Sequence, residues 1–154
     1  MKRVKQISAG GVVFRHKKDQ PNLENTEWLV IQHAGHKGWT FPKGLIGDHI
    51  PNENKQEAAL REVEEEGGIK AEIIDPEPVK NKYSFRWKDT LINKTVYYFL
   101  MRYISGDPND HDQEVSKAVF LPTEEVKKIL TYGSDKKVFE KIIQKFKSLN
   151  ISNF

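Results

Sequence analysis

The sequence predicts an α/β domain of the α+β type, in which a mixed sheet carries helices between and after its strands. Three observations lead there. Short apolar runs bounded by Gly, Pro and Asp recur from Val4 to Leu121, as strands do. A segment opening near Asn52 changes to helical periodicity within a run of strong helix formers. Near the end of the chain, Phe139, Ile142, Ile143, Phe146 and Leu149 recur at three- and four-residue intervals with lysines on the other face. At 154 residues the chain has the size of one domain, expected over 1–154, with one core.

Taken in order, Val4 to Arg15 reads as a strand with a close backbone approach at Gly10 and Gly11, followed by a polar loop from His16 to Glu27 that contains Pro21. Trp28 to Gln32 suits a buried strand, which the glycines and histidines of His33 to Gly38 end before Trp39-Thr40-Phe41. A loop opens at Pro42. The next helix takes Asn52 as N-cap with Glu53 in its first turn, carries an apolar stripe of Ala58, Ala59, Leu60 and Val63, and stops at Gly67-Gly68.

Ile69 to Ile74 is the following strand, and Pro76 and Pro78 mark a turn. Lys82 to Lys88 and Thr95 to Ile104 form a hairpin. Gly106 to His111 is an aspartate-rich loop and Val115 to Leu121 a short strand. Thr123 caps a short helix from Glu124 to Leu130, and Ser134-Asp135 caps the last helix.

Composition narrows the function classes. With 37% hydrophobic and 31% charged residues the chain has core material and a solvated surface, which excludes disorder. Its formal charge of +3, from 25 basic and 22 acidic residues, does not describe a general nucleic-acid binder. Apolar stretches such as Val96 to Met101 are far too short to span a membrane, and no apolar segment of signal-peptide length follows the first basic residues. A cytoplasmic protein, monomeric or weakly dimeric, with neither a membrane nor a stable nucleic-acid partner, is expected. Without cysteine, any metal must be held by oxygen or imidazole, which points toward Mg2+ or Mn2+.

The chemistry concentrates in Arg61-Glu62-Val63-Glu64-Glu65-Glu66-Gly67-Gly68-Ile69, where four glutamates fall within five helical positions. Like charges at three- and four-residue spacing repel, so something must compensate. Glu62, Glu65 and Glu66 stand at i, i+3 and i+4 and project from one face, while Glu64 turns away. That face suits a hard cation able to bridge phosphate oxygens and activate a water. For an arbitrary glutamate run a solvated acidic face is the better reading, but the flanking residues decide otherwise. Gly47, Glu53, Arg61-Glu62-Val63, Glu65-Glu66 and Gly68-Ile69 occupy nine spaced positions that resemble the box of the Nudix hydrolases.

The resemblance implies the Nudix fold, a mixed sheet sandwiched between helices, and a metal-dependent pyrophosphohydrolase. It makes Glu62, Glu65 and Glu66 metal ligands, Arg61 the residue that orients a carboxylate, and Glu53 the earlier box glutamate, which reads equally as a charge at a helix N-terminus. Glu62 also matches the general base of some members. Pro42-Lys43-Gly44 lies three residues earlier than the family's usual tripeptide. Either Gly47 is the box glycine, or Gly44 keeps that role, with its backbone carbonyl region completing the metal shell, and residues between Leu45 and Asn52 bulge outward. The second reading is favoured because loop insertions cost little.

The chain further resembles the diadenosine tetraphosphate hydrolases of that family. Ser8-Ala9-Gly10-Gly11-Val12-Val13 is similar to their opening strand, Trp39-Thr40-Phe41-Pro42-Lys43-Gly44 to their Trp-x-x-Pro-Lys-Gly, and Lys94-Thr95-Val96-Tyr97-Tyr98 to a later strand. This resemblance implies Lys43 and Lys94 as phosphate contacts. Seven positions before Lys94 it implies Trp87 as an adenine-stacking ring, with Tyr83 and Phe85 on the same strand face reading equally as core. Tyr132 of Leu130-Thr131-Tyr132 closes the base from the other side. Glu114 matches a remote acidic residue that approaches the metals and serves as base, with Asp112 as the substitute. His33, His36 and His111 read as loop residues, His36 being near enough to Trp39 to reach a phosphate. The implied substrate is a small nucleotide, diadenosine tetraphosphate cut to ATP and AMP. Competing substrates are a diphosphoinositol polyphosphate, an RNA 5′ end and a nucleoside triphosphate, and a non-catalytic nucleotide sensor is the rival of another class.

Overall fold

The structure, a computed structural model, describes residues 1–17, 22–47 and 50–149. Eight strands make one mixed sheet, with α1 on one face and α2 and α3 on the other. The strands are β1 (Lys2–His16), β2 (Thr26–His33), β3 (Trp39–Thr40), β4 (Lys43–Leu45), β5 (Ile69–Ile73), β6 (Val79–Trp87), β7 (Thr90–Gly106) and β8 (Val115–Pro122). The helices are α1 (Lys55–Gly67), α2 (Thr123–Ile129) and α3 (Gly133–Ser148). The path runs β3-β2-β1-β7-β5, with β4 on β1, β6 on β7 and β8 on β2. Parallel pairing of β1 with β7, from Lys2↔Thr90 to Phe14↔Arg102, forms its spine. Ala9 to Phe14 is buried on both faces, which is why that run reads as continuously apolar rather than alternating.

The two faces hold separate cores. Ala58, Ala59 and Val63 of α1 press onto Ala9, Val13, Leu29, Phe99 and Met101. Val138, Phe139, Ile142, Ile143 and Phe146 of α3 pack on Val12, Phe14, Trp28, Val30, Phe41 and Tyr98. Leu60, expected in the α1 stripe, is exposed, because its position rotates it past the sheet. Among the described residues no helix is long and apolar enough to cross a membrane.

The termini of the helices differ from expectation. Asn54 caps α1, its side chain accepting from the Glu57 N–H at 2.8 Å, whereas Asn52 sits in a turn at φ +65°. Glu53 therefore precedes the cap instead of lying in the first turn. The Thr123 hydroxyl caps nothing; it accepts from the Trp28 indole N–H at 2.9 Å inside the core. Helix α3 begins after Tyr132 without a side-chain cap, and Asp135 turns inward. For Thr123 and Asp135 a tertiary partner outcompetes the local backbone for the polar side chain. At the other end of α1, Gly68 takes φ +75°, the left-handed C-cap that glycine adopts at no steric cost.

The segment expected as a loop after Pro42 is instead β4, with Lys43 opposite Gly10 and Gly44 opposite Ala9. The Gly11 N–H donates to the Pro42 carbonyl at 3.1 Å, and a side chain at Gly10 would collide with that carbonyl. The small residues of β1 thus admit β4 and so bring Lys43 to the end of α1. Part of the expected polar loop, Pro21 included, and residues 48–49 of the lengthened loop lie outside the described residues.

Candidate active site

Helix α1 positions its glutamates by rotation alone. Ala58, Ala59 and Val63 fix the buried face, so Glu62 and Glu66 emerge at its flank, 6% and 7% exposed, with Glu65 beside them. Their repulsion is compensated by Arg61. Its Nε and Nη2 donate to Glu53 Oε2 at 2.7 Å and Oε1 at 3.0 Å, a bidentate pair. Nη1 reaches Glu62 Oε1 at 2.7 Å and Glu65 Oε2 at 3.1 Å, while Nη2 also donates to the Leu45 carbonyl at 3.3 Å. Hydrogen bonding to Glu53 leads the effects that hold the guanidinium firmly protonated. Glu53, itself 7% exposed, also accepts from the Gly47 N–H at 3.2 Å.

Glu66 accepts from the Lys43 N–H at 3.0 Å, which ties β4 to the helix. Burial pushes its carboxyl up to about 8, with Glu62 and Asp112 adding to the effect and Lys43 opposing it. Burial also raises Glu62 against the pull of Arg61. Gly44 lies flat on the Glu62 carboxylate, where any Cβ would overlap it. The two glycines of the lengthened loop thus do different things: Gly44 makes room for Glu62, and Gly47, at φ +77° with open space around it, supplies an N–H to Glu53.

These groups line a cavity of about 370 Å³ together with Asp112, Glu114, Lys43 and Lys94. Asp112 is brought there by its N–H, which donates to the Glu65 carbonyl at 2.8 Å, and its side chain in turn accepts from the Glu114 N–H at 3.1 Å. Burial and the neighbouring Lys43 both lower the Lys94 ammonium. The donor set fits a hard divalent cation: Glu62, Glu65, Glu66, Asp112 and Glu114 offer only oxygen, and Glu62 and Asp112 add to the burial that raises Glu66. Among the described residues no three carboxylate or imidazole groups converge to ligand distance, and Glu62 and Glu65 both face Arg61.

A second chamber of about 520 Å³ adjoins the first and shares His36, Lys43, Tyr83 and Phe85 with it. Tyr132 forms its far wall. The Trp39 N–H donates to Thr131 Oγ1 at 2.8 Å and the Thr131 N–H to the Trp39 carbonyl at 3.1 Å, pinning the segment before α3 to β3. His36 Nδ1 accepts from the Gly38 N–H at 3.0 Å, so the Tyr132 hydroxyl, 3.1 Å away, donates to it. His36 stacks on His33 at 4.2 Å and lines the chamber from the turn between β2 and β3.

The structure brings Lys43, Lys94, Tyr83 and Tyr132 to this cleft and leaves Trp87 outside it. Tyr83 stands directly opposite Lys94 in the β6/β7 pairing, whereas Trp87 pairs with Thr90 at the hairpin end, 59% exposed, with Lys88 Nζ 4.5 Å from its ring. Counting seven back from Lys94 along the chain only just crosses the turn and stops short of the cleft. Phe85, with ring centroid 6.2 Å from Tyr83, is the lining ring that the count missed. Its strand parity with Tyr83 is the signal that finds it. Thr40, Asn81 and Asp135, a buried polar chain under the second chamber, carry no local motif.

Comparison with known proteins agrees with the fold. Residues 5–142 match the model of the NUDIX domain. The bis(5'-nucleosyl)-tetraphosphatase [asymmetrical] of Rattus norvegicus is 33% identical over 71% of this chain and 70% of its own. A putative mutator protein, MutT4 of Mycobacterium tuberculosis, is 31% identical over 91% of this chain, which spans 55% of that relative's length. An Ap4A hydrolase of C. elegans, solved as a binary complex, superposes with a TM-score of 0.67 at 23% identity, over 94% of this chain and 99% of that one. With the glutamate helix, its arginine and the sheet in place, the chain belongs to the NUDIX domain family.

Proposed function

We propose that this chain is a divalent-cation-dependent pyrophosphohydrolase, using Mg2+ or Mn2+, that cleaves diadenosine tetraphosphate asymmetrically to ATP and AMP. The observation that carries the reading is the continuity of the two chambers. A carboxylate cavity with Lys43 and Lys94 at its edge opens into one walled by Tyr83, Phe85 and Tyr132. A polyphosphate joined to a base is the ligand that such a pair of chambers holds. The tetraphosphatase relatives support this choice among Nudix substrates.

Glu62, Glu65, Glu66 and Glu114 hold the cations, joined by the backbone of Gly44. When bound, the cations neutralise charge at phosphorus and lower the pKa of the attacking water. Arg61 keeps Glu62 and Glu65 on one side of the helix, and Glu53 keeps Arg61 there. Glu114 takes the proton at its carboxylate as the new P–O bond forms and the anhydride P–O bond breaks in line. Lys43 and Lys94 bind the departing phosphates as point charges. The rings of Tyr83, Phe85 and Tyr132 contribute affinity for the base and take no part in bond making.

Hydrolysis of diadenosine tetraphosphate, a nucleoside triphosphate, a 5′-triphosphorylated RNA and a diphosphoinositol polyphosphate, each with Mg2+ and with chelator, tests the proposal. ATP and AMP in equal amounts from the dinucleotide, at the highest kcat/KM of the set and only with cation, is the expected result. Absence of turnover on every polyphosphate removes the enzyme reading altogether.

A further inference from the structure

Beneath the second chamber lies a buried carboxylate that the proposed reaction does not use. Asp135 is 3% exposed and lines the chamber beside Ser134. Its Oδ2 accepts from the Thr40 hydroxyl at 2.7 Å and its Oδ1 from Asn81 Nδ2 at 3.1 Å. Among the described residues no cation pairs with it directly; the nearest link is Lys43 Nζ, 3.5 Å from Thr40 Oγ1. Two neutral donors leave a carboxylate with unused acceptor capacity on both oxygens. Burying a charge that way is costly, and a neutral amide could tie α3 to β3 and β6 as well. Asp135 also sits in the first turn of α3, whose N-terminus favours its charge, and it lines the chamber, where a ligand donor can reach the unused acceptor capacity.

Ser134 completes the pattern. Its Oγ accepts from Asn81 Nδ2 at 3.3 Å, which leaves the hydroxyl proton free to donate. The floor of the chamber thus presents an acceptor beside a donor, under walls made by Tyr83, Phe85 and Tyr132. A flat ligand held between those rings must offer the complementary edge. Adenine does so with its 6-amino group and the ring nitrogen next to it.

Resting on the reading of the cleft as a nucleotide site, we infer that Asp135 is a base-specificity residue that accepts a hydrogen bond from the 6-amino group of adenine, with Ser134 donating to the adjoining ring nitrogen. The chamber then selects its base by edge as well as by stacking. Pure stacking platforms are sequence-tolerant, since every base has a π-face. A carboxylate in the floor is not, because a 6-oxo group placed against it sets acceptor against acceptor.

Calorimetric binding of AMP and of purine riboside 5′-monophosphate, which lacks only the 6-amino group, to the full chain in Mg2+ tests this directly. Wild type is expected to bind AMP about tenfold more tightly than the analogue, the scale of one hydrogen bond to a charged acceptor. Asp135→Asn should bring that ratio close to one, whereas Ser134→Ala should weaken both ligands together and preserve it. A purely structural Asp135 would alter both affinities and leave the ratio intact, which overturns the inference. A wild-type ratio near one, or inosine monophosphate binding as well as AMP, overturns it without recourse to any variant that fails to fold. AMP contains no anhydride, so the binding ratio is independent of turnover. Hydrolysis lost with the ratio intact counts against the proposed activity alone, and the reverse result against the base assignment alone.

Discussion

The carboxylate chamber and the base chamber are neighbours built on opposite plans. The first is local: Arg61, Glu62, Glu65 and Glu66 come from little more than one turn of α1, and Glu53 lies just before its cap. The second is assembled from β3, β6, the segment before α3 and α3 itself, with Thr40 and Asp135 separated by 95 positions in sequence. The first is dense with charge and cross-braced by one arginine, while the second is aromatic with a single buried carboxylate. On the proposed reading, the contrast teaches that cutting the anhydride depends on a helix surface that any faithful copy of the motif reproduces. Choosing the nucleotide depends on how the sheet, the hairpin and α3 meet.

The largest effect should come from the dense side. Glu65→Gln leaves packing untouched and is expected to lower kcat on the order of 10²–10³-fold, the scale of one preorganised electrostatic contact, with an unchanged thermal melt. Residual activity within fivefold of wild type would move the essential carboxylates elsewhere. Arg61→Ala attacks the brace itself. Because the Glu53 side chain is 1% exposed, removing the guanidinium that pairs with it should cost about 3–5 kcal/mol of stability, readable as a lower denaturant midpoint. A midpoint close to wild type would mean that the carboxylates repel less than the geometry implies.

On the aromatic side the effects should fall on binding. Phe85→Ala is expected to raise KM roughly tenfold with kcat nearly constant, since one base–ring stack contributes about 1–3 kcal/mol. Trp87→Ala should change KM by less than about twofold, as for a surface substitution away from structural features. Equal losses in the two variants would return the stacking role to Trp87 and mean that the hairpin end bends into the cleft when substrate binds.

How much could be read beforehand follows the same division. The i, i+3, i+4 spacing of Glu62, Glu65 and Glu66 is converted to one face by helix geometry alone, so that part of the site was visible in the order of residues. The strands other than β4 were visible too, with β7 longer at both ends than its apolar run, since pairing with β6 at one end and β5 at the other extends a strand beyond its buried stretch. The helix caps were misassigned in three places. Asn52, Thr123 and Asp135 are good local caps, but the latter two found partners in Trp28, Thr40 and Asn81, and Asn54 took the place of the first.

By itself the sequence determined the family, the glutamate face and the need for something to offset its charge, because those follow from spacing along one helix and from charge. Tertiary structure alone decided that β4 slides against Gly10 to deliver Lys43, and that Phe85 and not Trp87 faces the cleft. It also decided that Asp135 lies under a base-sized chamber. The physical reason is that helix periodicity fixes direction within a few residues. Strand register and the docking of α3 depend on contacts between residues far apart in the chain, for which local pattern provides no measure.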